Sequence, residues 1–324
     1  MLRRVSAIVL PTLVAVAIIA YMLYRVWDSL LITLEHIVLP FLFAAVIICV
    51  FAWFLRGVRY RAILQGLAIE EGVWFSTACI FVSQTANLIV PARLGDFVRM
   101  LILKHEDDAT YSQGFSSIVV ERIFDVLMIA VLGLLALPFV LNVPDWFVTV
   151  IVLPIVAGGA FFAFLLYSGR FNSENKYIGI LLRVLEEVRE ASLHPRALAM
   201  LSGTSLLIWI VDVLVAVAVV AMFQETIPFA VIVLAIVIGN LVKAVPITPG
   251  GVGTYELALA LTFEVSGTAA ATATLIAVVD HLIKNMVTLV GGVLSIYYFG
   301  DWSVALMKKA FNKELEMEES FGSR

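Results

Sequence analysis

The chain has 324 residues, of which 62% are hydrophobic and 14% charged, and its mean hydropathy is +1.04. A soluble domain carries about 25% charged residues, so no water-soluble packing can hide this apolar surface, and the chain reads as an all-α polytopic membrane protein. The balance of 21 Lys and Arg against 25 Asp and Glu, a net charge of −4, argues against a nucleic-acid partner.

The first predicted span lies near residues 7 to 26, behind Arg3 and Arg4. It imitates a signal peptide, but the 18 apolar residues from 7 to 24 are too many for an h-region, and bulky Tyr21-Met22-Leu23-Tyr24 stands where small residues would mark cleavage. It is therefore expected to stay attached. A second span near 37 to 55 ends at the basic run Arg56-Gly57-Val58-Arg59-Tyr60-Arg61. The apolar stretch 73 to 103 is interrupted at NLIVPARLGD, Asn87 to Asp96, and reads as a broken helical hairpin.

Spans near 113 to 138 and 146 to 167 follow. In the 169 to 196 segment Ile178, Leu181, Leu182, Leu185 and Val188 recur at helical spacing, with Arg183, Glu186, Glu187, Arg189 and Glu190 on the other face. That pattern predicts an interfacial helix. A span near 198 to 222 precedes the second broken hairpin, 229 to 263, interrupted at NLVKAVPITPGGVGTYE, Asn240 to Glu256. The last span covers 269 to 299, and the charged tail from Lys308 is expected to be a frayed amphipathic helix. The expectation is thus a single transmembrane domain over 1–324, with about six full spans and two broken hairpins.

Lys and Arg collect in cytoplasmic loops. If each hairpin leaves on the side it entered, Arg3, Arg4, the Arg56–Arg61 run, Lys104, the 169 to 196 segment and Lys308-Lys309 share one side, while the loops opposite carry only acidic residues. Both termini are therefore expected in the cytoplasm, in a multi-pass protein of the cell membrane. Parity does not separate shallow re-entrant hairpins from pairs of complete spans; the short second arms favour re-entrance.

The halves, about 37 to 167 and 196 to 299, resemble each other. Asn87-Leu88-Ile89 matches Asn240-Leu241-Val242, Gly95 falls opposite Gly253, and Glu121-Arg122 with Asp125 falls opposite Asp280-His281 with Lys284. Gly95 and Glu121 are 26 residues apart, and Gly253 and Asp280 are 27. With one hairpin entering from each side, the halves form an inverted repeat, a recurring transporter architecture.

Ionisable groups within apolar spans cost about 2.5–3.5 kcal/mol each and need partners or a wet cavity. The first hairpin carries Arg93, Asp96 and Arg99 at i, i+3 and i+6, so Asp96 is expected to pair with one of these arginines; Glu121, Arg122 and Asp125 follow in the next span. The second carries Lys243 and Glu256, followed by Asp280, His281 and Lys284, and Asp212 sits alone in its span. So many bases suit an anionic ligand. Gly250, Gly251 and Gly253 would let backbone approach it closely, and the helix opening near Thr254 would aim N–H groups at it. Cys49 and Cys79 lie in apolar runs without ligand spacing, so no disulfide or metal is expected, and no nucleotide loop or other cofactor motif is present.

The basic end of the second span with ILQGLAI, NLIVPARLGDFVRMLIL, ERIFDVL and PITPGGVGTYELAL together resemble the flippase-like membrane proteins related to the transmembrane region of lysylphosphatidylglycerol synthase, from about residue 50 to 299. The resemblance implies a lipid-handling membrane protein; some relatives move an aminoacylated phospholipid between leaflets and others are associated with polyprenyl-phosphate sugars. The soluble aminoacyl-transferase domain of the bifunctional members is not expected in the 25 residues after the last span, so aminoacylation is not carried over.

The reading is a flippase for an anionic lipid, phospholipid or polyprenyl-phosphate-linked sugar. Asn87, Arg93, Arg99, Arg122, Asn240, Lys243, Gly250, Gly251, Gly253 and Lys284 would bind the substrate, and Asp96, Glu121, Asp125, Glu256, Asp280 and His281 would position the bases or carry protons. A membrane enzyme of polyprenyl-phosphate sugar metabolism and an ion-coupled small-molecule transporter are the alternatives. Lipid and bilayer are the expected partners, and oligomerisation stays open.

Overall fold

The computed structural model describes residues 2–34, 37–90, 93–140, 143–169, 171, 175–300, 302 and 304. Pro91, Arg170 and the expected helical tail from Lys308 lie outside them, as do the side chains of Arg3 and Arg4. Eleven α-helices are described: α1 (Leu2–Leu34), α2 (Leu39–Gly66), α3 (Val73–Ile89), α4 (Gly95–Glu106), α5 (Tyr111–Ala136), α6 (Asp145–Ser168), α7 (Lys176–Leu193), α8 (Pro195–Met222), α9 (Phe229–Ala244), α10 (Thr254–Val265) and α11 (Ala270–Phe299). Five of them, α1, α2, α6, α8 and α11, are long and apolar enough to cross a membrane. At 26 residues α5 has the length as well, but Glu121, Arg122 and Asp125 interrupt its apolar run.

Local chemistry sets the boundaries. Pro40 and Pro195 occupy first-turn positions of α2 and α8, where their missing N–H costs nothing. Thr110 and Gln113 form a capping box on α5, and the Asn175 side chain accepts from the Tyr177 and Ile178 N–H groups at the start of α7. Helix α3 stops two residues before Pro91 and α9 two before Pro246, because the residue ahead of proline avoids the helical region.

The outer surface is apolar. Phe43, Ile47 and Phe51 of α2, Leu153, Val156 and Leu166 of α6, and Val290, Leu294 and Tyr297 of α11 are all exposed. On a soluble protein a patch this continuous would aggregate; here it is the surface that faces lipid. Between helices, small residues permit close contact. A Cβ on Gly291 would lie 2.2 Å from the Phe81 ring, and one on Gly292 would lie 1.9 Å from Thr85 Oγ1. Such close approach replaces the hydrophobic drive that lipid removes. Helix α7 buries Leu185, Val188 and Ala191 and exposes Tyr177, Ile178 and Leu181, while its Glu187 accepts bonds from Ser112 and Ser116 of α5 at 2.7 Å each.

Helix lengths carry the internal repeat. Helices α2 to α5 have 28, 17, 12 and 26 residues, and α8 to α11 have 28, 16, 12 and 30. Packing is reciprocal: α2 lies against α8, α5 against α9 and α11 against α3. Trp53 and Trp209 are both fifteenth in their helices, Arg56 and Asp212 eighteenth, and Glu121 and Asp280 eleventh.

One sequence expectation changes. The second span does not end at residue 55: α2 continues to Gly66, which puts Arg56, Arg59 and Arg61 inside the helix rather than in a basic loop. Arg25 of α1 clasps Glu264 of α10 with bonds of 3.0 and 2.7 Å.

Candidate functional site

Where the broken elements meet, α9 gives way at Val245, and Pro249–Gly251 forms a single 3-10 turn before α10 begins. Gly250, Gly251 and Gly253 have φ of +60, +77 and +84°, a region closed to most side chains. Opposite them, Arg93 sits between α3 and α4 with φ of +58°. The tips touch: Arg93 Nη2 donates to the Lys243 carbonyl at 3.1 Å, and a Cβ on Gly250 would lie 2.7 Å from Leu88.

Beneath the tips lies a cavity of about 180 Å³. One buried water needs roughly 10–15 Å³ on this measure, so the space suits a polar headgroup. Its wall carries Arg56, Arg93, Arg122, Lys243 and Lys284 together with Glu121, Asp125 and Asp212, and Trp53 and Trp209 add aromatic surface.

Behind that wall the charges are wired in pairs. Arg56 meets Asp212 at 2.5 Å, so the residue expected to be alone in its span is tied to the matching position of the other half. Asp96 pairs with Arg122 at 2.9 Å, not with Arg93 or Arg99 as the i, i+3 spacing suggested, because Arg93 precedes α4 and Arg99 is held at 2.5 Å by Glu121. Asn87 and Ser83 also donate to Asp96, at 3.0 and 2.9 Å. Arg59, wholly buried, donates to Glu121 at 3.1 Å and to Asp125. In the second half, Lys284 donates to Asp280 at 2.9 Å and Tyr255 to the same carboxylate at 2.7 Å. Lys243 Nζ lies 2.9 Å from His281 Nε2, and His281 Nδ1 lies 2.7 Å from Glu256, whose other oxygen accepts from the Gly253 N–H.

The sum decides the character of the site. The wall, its direct partners and Glu256, which reaches Lys243 through His281, hold seven cations (Arg56, Arg59, Arg93, Arg99, Arg122, Lys243, Lys284) and six carboxylates (Asp96, Glu121, Asp125, Asp212, Glu256, Asp280), and seven minus six leaves one positive charge. Among the described residues, Arg93 and Lys243 are the two of these seven with no carboxylate at ion-pair distance. The buried Arg122 Nε, on a residue of the wall, adds an unmet donor. Together these groups can hold a phosphate oxygen by charge-assisted bonds. Among the described residues no three His, Cys, Asp or Glu converge to hold a metal.

The family described as the lysylphosphatidylglycerol synthase TM region matches residues 8–292. The chain belongs to this family. Within it, the chain is similar to "Glycosyltransferase AglD" of Haloferax volcanii, 35% identical over 77% of this chain and 47% of that protein. It thus spans about half the length of that relative. It is also similar to "UPF0104 membrane protein MJ1078" of Methanocaldococcus jannaschii, 29% identical over 53% of this chain and 76% of the other, and to "UPF0104 membrane protein PH1989" of Pyrococcus horikoshii, 24% identical over 78% and 86%. No solved structure matches.

In this member of the family, the expected binding residues Asn87, Arg93, Arg122, Asn240, Lys243, Gly250, Gly251 and Lys284 line the cavity, as do Glu121 and Asp125. Arg99 and Gly253 do not; nor do Asp96, Glu256, Asp280 and His281, which hold wall residues or helix ends from behind. Sequence reasoning missed Trp53, Arg56, Trp209 and Asp212. Matching the halves residue by residue through their first spans, and not only from Asn87 and Asn240 onward, would have found them, since they occupy matching positions of α2 and α8. Gly251→Ala is expected to disturb the site directly: its Cβ would fall 2.6 Å from Lys243 Cγ at a φ of +77°. The strain is about 1–2 kcal/mol, read as a lowered melting temperature together with weaker ligand binding.

Proposed function

We propose that the protein is a lipid translocase whose cavity receives the phosphate of an anionic lipid, a phospholipid or a polyprenyl-phosphate-linked sugar, while the hydrocarbon chains stay in the bilayer. The carrying observation is that Arg93 and Lys243 face the cavity without carboxylate partners, so that with every base protonated the site holds one cation in excess. A buried net charge is costly unless a ligand or water compensates it, and a phosphodiester brings one negative charge. The reciprocal packing of the halves supports an inverted repeat of two re-entrant hairpins, α3–α4 and α9–α10, meeting at the midplane. The bias of Lys and Arg supports both termini in the cytoplasm and insertion in the cell membrane.

Family membership supports lipid handling, and the printed name of the 35% identical relative supports a second reading: an enzyme of polyprenyl-phosphate sugar metabolism. Proteoliposomes separate the two. With headgroup-labelled phosphatidylglycerol, the translocase reading expects label in the inner leaflet to become accessible to an added quencher, faster than labelled phosphatidylcholine. Equal rates for the two lipids, no faster than protein-free vesicles, would remove this assignment, and a modified lipid product would establish the enzyme.

A further inference from the structure

The two halves share a wiring diagram but not its chemistry. The twelfth residue of α5 is Arg122, held by Asp96 in the first turn of α4; the twelfth residue of α11 is His281, held by Glu256 in the first turn of α10. In the first half the held group is a guanidinium, which keeps its charge at any physiological pH. In the second half it is an imidazole, so the Glu256 carboxylate is spent on a ring that is neutral when it donates through Nδ1. Lys243 is left facing the bare Nε2 at 2.9 Å. Its amine has that nitrogen and the Tyr255 ring, 5.4 Å away, as partners, whereas Lys284 has the Asp280 carboxylate.

Resting on the anionic-lipid reading, we infer that Lys243 is a proton-binding site, an uncharged amine when the cavity is empty and an ammonium when an anionic headgroup occupies it. Both forms preserve the hydrogen bonds: either can donate to His281 Nε2 while His281 Nδ1 donates to Glu256. The charge sum explains the exchange. With Lys243 neutral, the empty cavity and its partners hold six cations and six carboxylates; a phosphodiester adds one negative charge, and one proton from the aqueous phase, bound to the Lys243 nitrogen lone pair, restores balance. The site is then neutral both empty and loaded, and the lipid crosses without carrying net charge through hydrocarbon. Of the seven cations only Lys243 and Lys284 can shed a proton, and Lys284 has the Asp280 carboxylate at 2.9 Å where Lys243 has none.

The groups turned toward this relay come from every neighbouring element. They are Tyr255 and Glu256 on α10, Asp280 and Lys284 on α11, Arg93 at the opposite tip, and Arg122, Arg56 and Asp212 across the cavity. An arriving phosphate favours the ammonium form of Lys243.

The test is calorimetric titration of the purified full chain with dihexanoyl phosphatidylglycerol, a phosphodiester with no ionisation of its own near neutrality, in buffers of different ionisation enthalpy. The expected result is uptake approaching about one proton per lipid at pH 8.5 and diminishing as the pH is lowered. In Lys243→Arg, whose charge is fixed, whatever binding persists should take up no proton. Binding to the wild type without proton uptake at pH 8.5, or uptake surviving in Lys243→Arg, overturns the proton site alone. Absence of any binding to the wild type overturns the anionic-lipid reading and this inference together. The wild-type titration decides the matter even if the variant fails to fold.

Discussion

Replacing Arg93 with alanine should weaken anionic-lipid binding about 30-fold while leaving the melting temperature within about 1 °C of wild type. The first number follows from a charged hydrogen bond worth about 2 kcal/mol. The second follows from the wiring: no carboxylate pairs with Arg93, so its removal strands none in the interior. The bond it gives up goes to the Lys243 carbonyl at a half-exposed tip. Arg93→Lys should recover part of the affinity, because a point charge can reach the phosphate but not grip it in two places. Titration with short-chain phosphatidylglycerol beside scanning fluorimetry reads both effects. A large fall in melting temperature with unchanged affinity would show Arg93 to be a strut between the tips.

Glu121→Gln should do the reverse, acting chiefly on stability. Glu121 receives Arg59 at 3.1 Å and Arg99 at 2.5 Å, and both arginine side chains are 0% exposed. Neutralising the carboxylate leaves Arg99 without an ion pair and Arg59 with Asp125 alone. Breaking a buried pair in this way costs about 3–5 kcal/mol, a fall of roughly 6 °C or more in melting temperature for a chain of this size. Among the described residues no second carboxylate stands at ion-pair distance from Arg99; it stacks on the Tyr60 ring at 4.4 Å, which does not replace a salt bridge in a dry interior. A shift under about 1 °C in the detergent-solubilised protein would mean that water reaches these arginines.

Much of the fold was legible because the bilayer imposes length. Runs of about 20 apolar residues mark spans, and the helices α6, α8 and α11 fall within a few residues of the predicted 146–167, 198–222 and 269–299. The interrupted elements were legible for a different reason: Pro91, Pro246 and the glycines around 250 forbid a continuous helix wherever they occur.

Pairing was not legible. A sequence gives which residues share a helical face, so it offered Arg93 and Arg99 to Asp96, yet the partner chosen, Arg122, comes from the next helix. Arg56 and Asp212 are 156 residues apart and meet only once α2 lies on α8. The basic run at 56–61 misled through composition. Three arginines in six residues resemble a loop, but all three lie in α2, and two of them pair with carboxylates on α5 and α8.

The account stands or falls on what the cavity holds. Native mass spectrometry of the protein released from its own membrane reads this most directly, comparing the wild type with Arg93→Ala. The account predicts a phosphodiester lipid of single negative charge retained by the wild type and depleted from the variant. Equal retention by both proteins, or a wild type carrying only zwitterionic lipid, would contradict it.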